Sequence, residues 1–204
     1  RQYRADGWRV LATVRSDAAR ERVRALGAEP LALDVTVAAD VARLDAALDD
    51  TPLDLALHVV GVMTHASARQ PPSRADFDAV MHANVLGAMQ LIPRVAPRVE
   101  RAHGIFAFLS TGMSLIAKVD ASDAWLYRVS KAALNMAMAS ARHAWPQATF
   151  VALDPGWVRT DLGGPQAPLT PEQSVTDLRA TLARVQPADN GHFLHRDGRT
   201  EPSW

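Results

Sequence analysis

Three stretches, LDLALHVVG (53–61), GIFAFLST (104–111) and ATFVALDPG (148–156), are apolar almost without interruption, and each stops at a glycine or a hydroxyl residue. A strand half-exposed to water alternates polar and apolar side chains; one without that alternation is buried on both faces, which happens chiefly in parallel sheets covered by helices. Helical patterns fill the intervals, at 16–27, 37–50, 73–101, 123–145 and 170–185, and further strand-like runs occupy 7–15, 29–35 and 191–198. The alternation predicts an α/β protein of one domain over 1–204: a doubly wound parallel sheet of the Rossmann type in three α/β/α layers. Pro93 and Pro97 are expected to kink or end the helix at 73–101. The helix at 170–185 announces its start with Thr170, Pro171 at the first helical position and a Glu/Gln pair behind it.

In such sheets ligands gather at the carboxyl ends of the strands, which points to Arg15, Asp34, Gly61, Ser110 with Thr111, and Pro155 with Gly156. The remaining composition narrows the chemistry. Twenty-two basic and twenty-two acidic residues cancel, so no bulk field exists to gather nucleic acid or an anionic membrane. Cysteine is absent, excluding disulfides and thiolate chemistry and fitting a reducing, cytoplasmic setting. No apolar run approaches the roughly 18 to 20 residues of a membrane span. His192 and His195, three apart in a strand, face opposite sides; they read as structural, and no metal site is expected.

Within 123–145 the segment YRVSK places Tyr127 and Lys131 four residues apart, on one helix face. An ammonium beside a phenol favours the phenolate, so the lysine is expected to lower the tyrosine's pKa toward working pH and fit it for proton transfer at a carbonyl or alcohol oxygen. Such pairs also arise by chance, which leaves an ordinary helix face open.

Three segments in order make the chain resemble the short-chain dehydrogenase/reductase family over nearly its whole length: YRVSKAALN (127–135), HANVLG (82–87) and LDPGWVRTDLGG (153–164). The last of these, with the tail NGHFLHRDG…PSW, is most similar to the C-factor and carbonyl-reductase branch. The resemblance implies an oxidoreductase that reduces a ketone or aldehyde. Tyr127 would be its acid/base, Lys131 would tune the phenol and hydrogen-bond the nicotinamide ribose, and Asn84 would hold a water in a proton relay. Asn84 has an ordinary alternative, a helix-interior amide bonding a neighbouring carbonyl. Thr111 matches the hydroxyl that orients the substrate oxygen, with Ser114 as runner-up. For the cofactor, Asp34 and Val35 match an adenine contact, and Gly61, Pro155, Gly156, Val158 and Thr160 match the nicotinamide loops. Arg15 suits an adenosine 2′-phosphate, favouring NADP(H), with NAD(H) as the alternative; a plain surface arginine is the other reading. The substrate pocket is expected near 115–125 and 163–170, and copies of the chain are expected to associate through the helices at 73–101 and 123–145.

Two departures accompany the match. The family's Asn-Asn-Ala-Gly appears as His58-Val59-Val60-Gly61, keeping the glycine and losing both amides. The first strand and its glycine-rich turn are not in the chain, whose RQYRADGWRV would start inside the first helix. The expectation is roughly 15 to 25 further residues upstream, at ordinary element lengths. Without them, cofactor binding should be weak, and a non-catalytic or signalling member of the family becomes the competing reading.

Overall fold

Every strand pair in the protein is parallel, as the uninterrupted apolar runs require. The computed structural model describes residues 1–204, which fall into two units, Arg1–Thr51 and Pro52–Trp204.

The first unit runs α1 (Gln2–Ala5), β1 (Leu11–Val14), α2 (Asp17–Ala25), β2 (Glu29–Ala32) and α3 (Ala38–Leu48). β1 and β2 form a two-stranded sheet with Leu11 opposite Glu29 and Val14 opposite Ala32. Ser16 caps α2 by accepting a hydrogen bond from the amide of Ala19, the start that Ser-Asp announces in the sequence. Val14, Leu33, Val35, Val41, Leu44 and Leu48 are its buried apolar residues, whereas α2 buries none.

The second unit runs β3 (Leu55–His58), α4 (Arg74–Met81), α5 (Gly87–Arg101), β4 (Ile105–Leu109), α6 (Trp125–Ala141), β5 (Thr149–Asp154), α7 (Pro171–Leu182) and β6 (Phe193–His195). Its sheet has the order β3-β4-β5-β6. Both faces of the central strands are covered. On one, Phe106, Phe108 and Phe150 contact one another, Phe106 and Phe108 with ring centroids 4.4 Å apart. On the other, Ala107, Val151 and Leu153 pack with Leu178 and Leu182 of α7 and Leu194 of β6. The expected cap of α7 is a complete capping box, Thr170 and Gln173 each bonding the other's backbone.

Of the two outcomes expected for the prolines of the helix at 73–101, a kink or an end, the end does not occur: α5 continues through both Pro93 and Pro97 to Arg101. The carbonyls the prolines cannot satisfy belong to Met89 and Pro93, both exposed, so solvent can take the place of the missing amides. The interruption lies earlier, where His82–Leu86 form a π-turn between α4 and α5, a device that re-aims side chains and occurs often at functional sites. Asn84 sits in that turn.

Candidate active site

The carboxyl ends of β3, β4 and β5 meet α6 around a cavity of about 950 Å³. Its wall includes Val59–Gly61 after β3, Leu109–Met113 at and after β4, Tyr127, Arg128 and Lys131 from α6, and Asp154–Val158 with Thr160 after β5. The chain reaches this place because each apolar strand ends in a residue that cannot continue it; Ser110 and Thr111 leave the sheet, although the Ser110 amide still donates to the carbonyl of Leu153.

Tyr127 and Lys131 come together as their spacing requires. Both are buried on one face of α6, with the lysine nitrogen 5.9 Å from the centre of the phenol ring. Lys131 donates to the carbonyl oxygens of Val60 at 3.2 Å and Leu109 at 2.9 Å, so it ties the ends of β3 and β4 to the helix. Gly61 makes room for it: a Cβ there would stand 3.2 Å from the lysine nitrogen, so a larger residue would crowd the ammonium.

The electrostatics correct the sequence expectation. Lys131 does not lower the tyrosine's pKa in this state; burial first and the Asp154 carboxylate second push Tyr127 up to about 12. Burial pushes Lys131 itself down to about 8. The ammonium is hydrogen-bonded to two backbone carbonyls, and desolvation of the phenolate is the larger influence on the tyrosine.

Asn84 is fully buried and does not line the cavity. Its amide clamps the segment after β3: the oxygen accepts from the Val62 amide at 2.8 Å, and the nitrogen donates to the Val62 carbonyl and to Ser130 Oγ, each at 2.9 Å. Together these three bonds tie the segment after β3 to α6, next to the His58-Val59 positions that lack the amides of the family pattern. His58 itself is buried against Phe108, and burial, with Lys131 second, pushes its imidazole down to about 4.

Of the candidate hydroxyls, Thr111 and Ser110 line the cavity and Ser114 does not. Ser110 donates to Asn135 Oδ1 at 2.6 Å, and Ser114 donates to the Thr111 carbonyl at 2.6 Å and accepts from Asn135 Nδ2 at 2.8 Å. Thr111 caps a short 3₁₀ turn, its Oγ1 accepting from the Met113 amide at 3.2 Å. Pro155, Gly156, Val158 and Thr160 all line the cavity; Gly156 has φ +74°, and a Cβ there would meet Leu169 at 2.8 Å. Of the expected pocket segments, Lys118, Asp120, Asp123, Ala124 and Gly163 line it, while 164–170 do not.

The remaining candidates belong to the first unit. Arg15 is exposed, with its Nη1 3.8 Å from Asp34 Oδ2. Asp34 accepts from the Thr36 amide and hydroxyl, organising the turn after β2, and Val35 is buried. Sequence reading missed Asp154, which faces the cavity, and the residues behind it. No cluster of His, Cys, Asp or Glu has the arrangement of a metal site, and no helix is long and apolar enough to cross a membrane.

Comparison with known proteins places these observations. The model of a family described as enoyl-(acyl carrier protein) reductase matches residues 1–192. The C-signal protein of Myxococcus xanthus is 32% identical over 156 residues, which are 75% of this chain and 93% of that protein. A Burkholderia multivorans structure, described as a short-chain dehydrogenase/reductase with bound NADP, is 31% identical and superposes with a TM-score of 0.86 over 100% of this chain and 91% of that one. The Drosophila melanogaster carbonyl reductase Sniffer, at 23% identity, shares the fold with a TM-score of 0.86 over 96% of this chain and 88% of its own.

Proposed function

Because the chain belongs to the short-chain dehydrogenase/reductase family, we propose that it is an NADP(H)-dependent reductase of a ketone or aldehyde in which Tyr127 gives a proton to the carbonyl oxygen. The observation that carries this reading is the convergence of Tyr127, Lys131 and Thr111 on one cavity, together with Gly61 and Gly156. The residues present fit a nicotinamide cofactor. Lys131 commits two of an ammonium's three hydrogens to backbone, leaving one for a ribose hydroxyl, and Gly156 lets the backbone approach a carboxamide closely. Bound there, the nicotinamide supplies the hydride.

The chain's own part is positioning and proton transfer. Thr111 holds the substrate oxygen beside Tyr127, and the phenol, protonated throughout the neutral range because burial pushes it up to about 12, is ready as a donor. Lys131 is an ammonium below about pH 8 and loses its charge above it, so turnover that needs the charged ribose contact falls as pH rises through that value. Asn84 acts by fixing the strand end that bears Gly61. Arg15, with Asp34 and Val35 in the adenine region, binds the 2′-phosphate and gives NADP(H) precedence. The protein works in the cytoplasm, and its copies associate through α5 and α6, whose exposed residues include Met89 and Met136.

The test is loss of NADPH absorbance with a panel of ketones and aldehydes, using the full-length protein and Tyr127→Phe. Turnover by the wild type alone supports the assignment, and equal turnover by the mutant overturns it. The similarity to C-signal and the His58-Val59-Val60 segment favour a second reading, a signalling protein that keeps the fold. Titration with NADPH and NADH separates the two, since binding by neither cofactor favours the signalling protein.

A further inference from the structure

Asp154 is the last residue of β5 and is opposite His195, the last residue of β6, in the parallel register, so both side chains leave the sheet together. Asp154 Oδ1 accepts from the Gly156 amide at 3.0 Å, and Oδ2 lies 3.3 Å from His195 Nδ1. The other ring nitrogen of His195 lies 3.0 Å from Oε2 of Glu201, on the tail that follows β6. Glu201 is buried, and the same oxygen accepts from Lys118 Nζ at 2.6 Å. The four side chains thus form one row, from a carboxylate in the cavity wall to an ammonium at the same cavity, whose side chain is 55% exposed.

A neutral imidazole carries one N–H and can donate to only one of two flanking carboxylates; its other nitrogen would turn a lone pair toward the second. With both nitrogens facing carboxylate oxygens, the arrangement is satisfied when both are protonated. The row is then Asp⁻, His⁺, Glu⁻, Lys⁺, without net charge. Of the charged residues next to His195 on its own turn, Asp197 is paired with Arg199, and Arg196 is paired with Asp177 of α7.

We propose that His195 is a positioning residue, held as an imidazolium between Asp154 and Glu201, that cancels the charge Asp154 would otherwise present to Tyr127 across the cavity. The role rests on the reading of Tyr127 as the acid/base. Asp154 and Tyr127 line the same cavity, and the Asp154 carboxylate is the second cause, after burial, of the raised Tyr127 pKa. Loss of the imidazolium would make the phenolate harder to form. Alcohol oxidation, which needs the deprotonated tyrosine, would suffer more than carbonyl reduction, which needs it protonated.

The chain has only two tyrosines, Tyr3 and Tyr127, which makes the coupling directly readable. In protein labelled with 3-fluorotyrosine, whose phenol is more acidic, fluorine NMR follows both rings, and Tyr3→Phe assigns them. His195→Gln should move the Tyr127 midpoint upward by about one pH unit, the size expected when a nearby countercharge is lost. Asp154→Asn should move it downward, as should the double variant relative to His195→Gln. Nitrogen-15 NMR of the His195 ring at pH 7 should show both nitrogens protonated. A neutral His195 tautomer, or a Tyr127 midpoint unmoved by both single variants, overturns the proposal. Turnover measured beside these titrations tests the reductase reading by itself: coupling without turnover defeats that reading, and turnover without coupling defeats this one.

Discussion

β1 and β5 are both short parallel strands, but only Val14 of β1's four residues is buried, whereas five of β5's six are. The helices repeat the contrast. α2 buries nothing, and α5 buries eight residues. The candidate chemistry follows the same division. Tyr127, Lys131 and Asp154 project from elements fixed by the larger core, whereas Arg15 and Asp34 stand on turns held mainly by local bonds. Proton transfer demands placement to within a fraction of an ångström, which only a packed frame supplies; an exposed guanidinium can find a phosphate from many rotamers. The division therefore predicts that substitutions in the second unit damage catalysis or folding and that those at Arg15 change cofactor choice alone.

The largest effect belongs to Tyr127→Phe. Removing the hydroxyl should lower kcat for carbonyl reduction by about 10²- to 10⁴-fold, the usual worth of a positioned acid, with melting temperature held or raised because a buried polar group is lost. Steady-state rates and thermal melts on one preparation check both halves. Phe150→Ala comes next. Its ring is fully buried against Phe106, Phe108 and Trp145, so truncation should destabilise the protein by about 3–5 kcal/mol in denaturant titration. Leu31→Ala in half-buried β2 should remove only about 1 kcal/mol, since roughly half of a leucine's burial is at stake. Equal losses would erase the contrast between the sheets.

The buried sheet and the Tyr-Lys pair were legible in the sequence because each is written in local spacing: continuous apolar runs for β3, β4 and β5, and a four-residue step for Tyr127 and Lys131. The continuity of α5 through two prolines was not, because it depends on Met89 and Pro93 facing solvent, a tertiary fact. Nor was the direction of the tyrosine's pKa. Spacing says that Lys131 can approach Tyr127, but only the packed structure shows the ammonium turned to Val60 and Leu109 while burial acts on the phenol. His195 was read as structural because its partners, Asp154 and Glu201, lie 41 and 6 residues away and meet it only through the register of β5 with β6.

His58 gives the next prediction. Burial pushes its imidazole from 6.5 down to about 4, so between those values the unfolded chain takes up a proton that the folded chain refuses. The wild type should therefore lose stability as pH falls from 6.5 toward 4, by up to about 3 kcal/mol from this residue. His58→Leu removes that part of the acid sensitivity while leaving neutral-pH stability close to wild type, because the buried His58 Nε2 has no hydrogen-bond partner to lose. Melting temperature against pH for the two proteins decides it; parallel curves would mean that other groups govern acid unfolding.

Arg15→Ala tests the other side of the comparison. The Arg15–Asp34 pair is wide, at 3.8 Å, and the Arg15 side chain is 76% exposed, so its removal should alter stability by less than about 1 kcal/mol. If Arg15 binds the 2′-phosphate, its charge-assisted hydrogen bonds should carry about 1.5–3 kcal/mol, and the variant should bind NADPH about 10- to 100-fold more weakly. NADH lacks that phosphate, so its affinity should hold. Isothermal titration with both cofactors gives the ratio directly. A parallel loss for NADPH and NADH would make Arg15 part of the framework and blur the division, and no change in either would move the phosphate contact to another residue, leaving the first unit's charged turns without a part in cofactor choice.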